Sequence, residues 1–177
     1  MEIIRLDSDT ISVARVDSFL LELFRAIPTA ADPVGSDAAR NRIFSDPSAD
    51  PASDLCAEWK DYVEPDLRHL FATATQTVKE DLARFERGDR SEPPTYSLSI
   101  PGVHLDAWLN CLNQARLVIA ARNEFTEADL NEEFSIFANS PRDFSLFQIH
   151  FYGLLQESIL RLMDEGGTKS EDAFPPQ

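Results

Sequence analysis

The sequence predicts a mainly α protein, a single-domain helical bundle carrying a small antiparallel β-sheet. Three observations lead there. Apolar residues recur at spacings of three and four over 65–87, 103–123 and 142–164, the period of helices with a buried face. The strand-like segments are short, at 2–6, 11–15 and 96–100. Glycine is scarce, six in 177 residues, which argues against a turn-rich β protein and a glycine-rich phosphate loop. At 43% hydrophobic, with twelve Phe and two Trp, the chain can fill one real core. That domain is expected to span 1–165, followed by a disordered, polar and acidic tail over 166–177.

The elements follow in order. Glu2 to Asp7 and Ile11 to Val16 are β-branched-rich runs on either side of Asp7-Ser8-Asp9-Thr10, which suggests a hairpin. Asp17 or Ser18 can cap a helix reaching Ile27, with Phe19, Leu20, Leu23, Phe24 and Ile27 on one face and Pro28 ending it. Residues 28–53 are rich in Asp-Pro turns, with one short helix over Asp37–Phe44 behind a Ser36 cap. Ser53 caps a helix whose apolar face is Leu55, Cys56, Trp59, Tyr62 and Val63. Pro65 breaks or kinks it, and a long helix continues to Arg87 with Leu67, Leu70, Phe71, Ala74, Val78, Leu82 and Phe85 inward and Gly88 as its stop.

A polar loop over 89–95 leads into Tyr96–Ile100, which alternates apolar and Ser as a half-buried strand does and is expected to make the hairpin a three-stranded sheet. After Pro101-Gly102 comes the helix Leu105–Phe125. A short acidic helix from Thr126 carries Leu130, Phe134, Ile136 and Phe137. The last helix, 142–165, has its main stripe at Phe144, Phe147, Phe151, Leu154, Leu155, Ser158 and Leu162, widened by Leu146, Ile149, Tyr152, Ile159 and Leu160, and is expected to be central.

The net charge of −15 weighs against nucleic-acid binding, whose affinity comes largely from Lys and Arg on phosphates, and against anionic membranes. A basic partner, or simply a solvated acidic surface that keeps the chain soluble, fits better. Cys56 and Cys111 are far apart, with no CxxC, and read as small buried thiols. The N-terminal MEIIRLDSD lacks the basic start and apolar run of a secretion signal, so a reducing, cytoplasmic setting is expected. No apolar run approaches the roughly 20 residues a membrane helix needs.

Few residues point to chemistry. Leu105, Trp108, Leu109, Leu112, Ile119 and Ala120 share a helical face, and Arg116 sits on that stripe where a leucine is expected, one turn after Asn113. A guanidinium keeps its charge, so in a core it must be paired. Gln156 and Glu157 interrupt the apolar surface of the last helix and are its expected partners. The expected cluster is therefore Trp108, Asn113, Arg116, Gln156 and Glu157, with a buried Arg116–Glu157 pair locking two helices. The alternative use of Arg116 is to hold an anion in a cleft.

His69, His104 and His150 show no metal-binding spacing. The carboxylate pairs Glu80-Asp81, Glu132-Glu133 and Asp164-Glu165 read as solvated surface. GxSxG and Walker A patterns are absent, and no catalytic constellation, metal or cofactor is expected.

With those residues in place, the chain resembles the bacterial DUF2017 family, a domain of unknown function often encoded beside the adaptor ClpS. The resemblance spans Arg40 to Met163. Trp108, Leu109, Leu112, Asn113, Arg116 and Leu117 match a W-L-x-x-L-N-x-x-R-L helix, and Leu155, Gln156, Glu157 and Ser158 match its L-Q-E-S motif. Gln114 stands where the family pattern carries an acidic residue. The resemblance implies a helical fold and a link to regulated proteolysis, without a reaction. Together these readings give a non-catalytic protein-binding or regulatory factor; the alternatives are a small-molecule-binding protein or enzyme that holds an anion with Arg116, and a homo-oligomer formed through exposed aromatic residues.

Overall fold

Apolar stripes that cannot be hidden by their own helices set the architecture. The computed structural model describes residues 1–7, 9–88, 93–131 and 140–167. They form a mostly helical protein with a four-stranded antiparallel sheet in the order β1-β2-β4-β3. The strands are β1 (Glu2–Asp7), β2 (Thr10–Val16), β3 (Glu86–Arg87) and β4 (Tyr96–Pro101). The helices are α1 (Ser18–Ala30), α2 (Asp37–Ile43), α3 (Asp54–Glu58), α4 (Glu64–Leu82), α5 (Leu105–Arg122), α6 (Glu127–Asn131) and α7 (Pro141–Gly167). A π-helical turn, Trp59–Val63, joins α3 to α4, and a 3-10 turn, Gly102–His104, precedes α5. Of the tail expected over 166–177, Gly166 and Gly167 instead extend α7, while 168–177 lie outside the described residues, as do the Glu132-Glu133 pair, Phe134, Ile136 and Phe137, and most of the polar loop (89–92).

The hairpin forms as the pattern predicts, with one refinement. Strict alternation after Ile11 and Val13 would turn Arg15 inward and Val16 outward. A bulge between Val13 and Val16, with Arg15 at φ 53°, inserts one residue of phase. Val16 therefore reaches the core, and Arg15 stays in water beside Glu2. Ile11 pairs with Ile100 and Val13 with Leu98, placing four apolar side chains on the inner face. Gly102 then passes close to Asp9, donating its N–H to the Asp9 carbonyl at 2.5 Å. A Cβ there would meet that oxygen at 3.0 Å.

Several expected boundaries are corrected. Pro28 does not end α1. It sits in the last turn, where its missing N–H removes one bond, while Ala31 still donates to Ile27 at 2.9 Å. The helix expected to reach Arg87 stops at Leu82, and Glu86–Arg87 becomes β3, pairing with Tyr96 and Ser97. The outer edge of β4 offers backbone groups that a short strand can satisfy, so the sheet has four strands instead of three. Pro65 lies in the first turn of α4, where a proline's missing donor costs least. Ser36 and Ser53 cap α2 and α3, accepting from Ala39 and Cys56 N–H groups.

The helix surrounded on most sides is α5 and not α7. It packs against α1, α2, α4 and α7. Leu105, Trp108, Leu112, Ala115 and Ile119 are buried on one side, and Cys111, Gln114 and Val118 on another. The buried stripe of α7 runs through Ile149, Tyr152, Leu155, Ile159 and Leu162, whereas Phe144, Leu154 and Leu160 are exposed. Phe24 anchors the aromatic core against Phe85, Trp108 and Phe151, with centroids 5.5–6.4 Å away. The Tyr152 hydroxyl, fully buried, donates to the Leu23 carbonyl at 3.0 Å. Burial pushes that phenol well above its ordinary range and keeps it a donor. Cys56 and Cys111 are free and buried, and burial raises the Cys111 thiol to about 11.

The Tyr152–Leu23 bond is what ties α7 to α1 through a polar group. Tyr152→Phe is expected to cost about 1 kcal/mol. It should lower the urea midpoint at constant m, and an unchanged midpoint would show the bond contributes nothing.

Candidate functional site

Two polar clusters lie along α5, and the cluster expected from sequence takes Trp108 from the first and its other members from around the second. The first is centred on Asp81. This residue ends α4 and faces inward with 0% exposure, although the run Glu80-Asp81 reads as surface charge. Its Oδ2 accepts from Trp108 Nε1 at 2.9 Å. His104 Nδ1 lies 2.9 and 3.0 Å from the two carboxylate oxygens, which requires the hydrogen on Nδ1. Arg84 Nη1 donates at 3.2 Å from a half-exposed side chain. Trp108 thus belongs to this cluster, and its indole N–H meets the acceptor that a buried Trp needs. A signal was available in sequence: Asp81 falls three residues after Val78 and seven after Ala74, in the phase of the buried stripe.

The second cluster holds Arg116. Its Nη1 donates to Gln156 Oε1 at 2.7 Å, and Gln156 Nε2 donates to the Leu109 carbonyl at 3.1 Å. One glutamine therefore clasps α5 at two points. The expected buried pair with Glu157 does not form, because Glu157 is exposed to water on α7. Arg116 is half-buried, packs 3.5 Å from where a Gly153 Cβ would stand, and makes no ion pair among the described residues. Its Nε is buried without a partner among them. Asn113, one turn away, is exposed and joins neither cluster.

An open cleft of about 620 Å³ runs beside Arg116, lined also by Gln156, Leu160 and Arg161. Glu157, Asp164 and Glu165 line it too. Three carboxylates against two guanidinium groups give a poor receptor for a free anion. Among the described residues no group of three His, Cys, Asp or Glu side chains is placed to hold a metal ion, and no helix is long and apolar enough to cross a membrane.

A third feature is an apolar stripe left in water. Leu55, Tyr62, Val63 and Leu70, expected in the core, are 55%, 74%, 43% and 50% exposed. The π-helical turn explains it. A wider turn shifts the phase of α3 against α4, so one face cannot point inward along both. Cys56 on α3 and Ala74, Val78 and Leu82 on α4 take the core positions.

Compared with known proteins, the chain matches the model of the DUF2017 family, described as a domain of unknown function, over residues 7–163. No curated protein and no solved structure matches it.

Removing the Asp81 carboxylate strands two donors, whereas removing Arg116 strands one glutamine oxygen at a half-exposed site. Asp81→Ala is therefore expected to cost about 3 kcal/mol, with Asp81→Asn costing less. Arg116→Met should cost about 1 kcal/mol. Denaturant unfolding of the variants checks the order; a larger loss for Arg116→Met would reverse the ranking of the two clusters.

Proposed function

The chain belongs to the DUF2017 family, and from that membership we propose that it is a non-catalytic protein-binding factor, with the face of α3, the π-helical turn and α4 as its docking surface. The observation that carries this reading is the exposed stripe of Leu55, Tyr62, Val63 and Leu70. Tyr62 and Val63 lie on the π-helical turn itself, with Leu55 on α3 before it and Leu70 on α4 after it, so the exposed apolar groups are concentrated along one segment of the rod. Exposed apolar residues grouped on one helix face mark interaction surfaces more often than isolated ones do. Along this segment the exposed acidic residues Asp54, Glu58, Asp61 and Asp66 outnumber the exposed cations Lys60 and Arg68, which are paired with Asp46 and Glu64.

That charge selects the occupant. A segment of another protein with apolar anchors and basic flanks meets both parts of the surface. A second copy of this chain, at −15, brings like charge to the same face and is disfavoured. The gene neighbourhood that the resemblance implies, beside the adaptor ClpS, makes components of the Clp proteolysis system the first partners to test for an accessory or regulatory role. Use of Arg116 as an anion anchor gains less support, because carboxylates share its cleft.

Purified chain carrying a photo-crosslinker at Tyr62 is expected to capture ClpS or a Clp subunit in a binary mixture. Tyr62→Glu and Leu70→Glu should each weaken that binding by about tenfold or more, with the fold kept. Binding that survives both changes would remove this face as the docking surface. The absence of any complex with these components would remove the proteolytic assignment.

A further inference from the structure

Two open clefts meet along α4. The larger, about 500 Å³, lies between α4 and the end of α1, with Pro28, Val34, Phe44 and Phe71 as apolar walls and Ala72 on its α4 side. The smaller, about 300 Å³, carries on along the same helix past Leu82 and Ala83 to Phe85. They share Pro28, Thr29 and Lys79, so they form one trough that follows α4 from Arg68 to Leu82, about 20 Å at the rise of a helix. Its walls are fixed in advance. Arg122 Nη2 donates to the carbonyls of Asp32 and Val34 at 2.7 and 2.9 Å, which holds the segment after α1. Phe44 is fixed by Phe71, with centroids 5.9 Å apart, and by the Arg68 guanidinium 4.2 Å over its ring. A wall that is already ordered loses little freedom on binding, which favours a specific occupant.

The charges lining the trough run against the charge of the chain. The chain carries −15, yet the described residues of the lining include Arg25, Arg68 and Lys79 against one carboxylate, Asp32. Asp32 accepts the Val34 N–H at 2.9 Å and serves its own turn. Lys79 stands where the two clefts join, exposed and in no ion pair among the described residues. Arg25 and Arg68 pair with Glu22 and Glu64 on their own helices. Surface pairs of this kind are weak and exchange readily for a partner's carboxylate. Charge elsewhere on the chain is screened beyond about 8 Å at physiological salt, so the lining decides the sign that an occupant meets.

We propose that the trough docks an acidic segment of a partner protein, with one apolar anchor against Val34, Phe44 and Phe71, a second against Leu82 and Phe85, and a carboxylate between them on Lys79. Apolar pockets spaced along a groove, with a charge between them, are the usual means of recognising a peptide segment. The net charge of two copies opposes self-docking, whereas a separate segment brings only its own few charges. This surface is distinct from the stripe of Leu55, Tyr62, Val63 and Leu70, which calls for a partner with basic flanks, so the chain presents two faces of opposite preference.

A phage-displayed library of random peptides, about ten residues long and so able to span the trough when extended, is panned against the full chain. The enriched sequences are expected to carry two apolar residues with Asp or Glu between them, and to bind as synthetic peptides with Kd of about 100 μM or tighter. Lys79→Glu should weaken such a peptide by about tenfold, and replacing the peptide's central acid by Lys should restore its binding to that variant. Ala72→Tyr, which fills the trough from an exposed position, should weaken the peptide by about tenfold or more. Both variants are expected to keep the wild-type Tm, because both positions are exposed. No enrichment, enrichment of basic sequences alone, or an affinity unaltered by both changes would overturn the proposal. Loss of binding in Tyr62→Glu with none in Ala72→Tyr would place the peptide on the other face and overturn it too. So would a monomer–dimer equilibrium in sedimentation that Ala72→Tyr abolishes, since that would seat a second copy in the trough.

Discussion

The arrangement depends on one buried charge. Asp81 carries its carboxylate out of water at the point where α4 ends, and a bare carboxylate there would be untenable. The donors that answer it come from the start of α5 and the turn before it: Trp108 and His104. The end of one helix and the beginning of the next are thereby fixed against each other, although 22 residues and two strands separate them. That joint sets how β3 and β4 cross between the helices and where Trp108 meets Phe24. The carboxylate is a specificity device more than a source of net stability, because its desolvation offsets much of what its partners contribute.

A second constraint is that α5 is enclosed on several sides. Any polar side chain on such a helix must find a partner or open onto a cavity. The three that matter resolve it differently. Trp108 finds Asp81, Arg116 finds Gln156, and Gln114 stands in the wall of the groove between α4 and the end of α1. The stripe released by the π-helical turn follows the same logic in reverse, where apolar groups are left in water because a wider turn puts them out of phase with the core. Both surfaces are therefore consequences of packing one helical rod against another, and they lie on features that a regular helix would not show.

Much of this was legible beforehand. The N-terminal hairpin, the caps at Ser36 and Ser53, the strand at Tyr96, and the periods of α4, α5 and α7 were all readable, because each rests on residues close in the chain. Family membership was readable too, from the W-L-x-x-L-N-x-x-R-L helix and the L-Q-E-S motif matched by Trp108 to Leu117 and Leu155 to Ser158. Arg116 was rightly singled out as needing a partner on α7. Gln156 was named beside Glu157, but the charge pair was assigned to Glu157, since the two are adjacent and only the rotation of α7 about its axis decides which one faces α5. The same rotation keeps Leu155 and Leu162 in the buried stripe of α7 but puts Phe144 and Leu154 outside it and Ile149, Tyr152 and Ile159 within it.

The sequence by itself determined a mostly helical chain of a recognisable family, a strong negative charge, and an arginine set on an otherwise apolar helical stripe. These follow from composition and from periods of two and 3.6, which are local properties. Only the tertiary structure decided that Asp81 is buried, that Glu157 is not, that Leu55, Tyr62 and Leu70 are left outside, and that Gln114 sits in the wall of a groove. Each of those depends on the phase and crossing of two helices, a relation between distant residues that no single stretch of chain encodes.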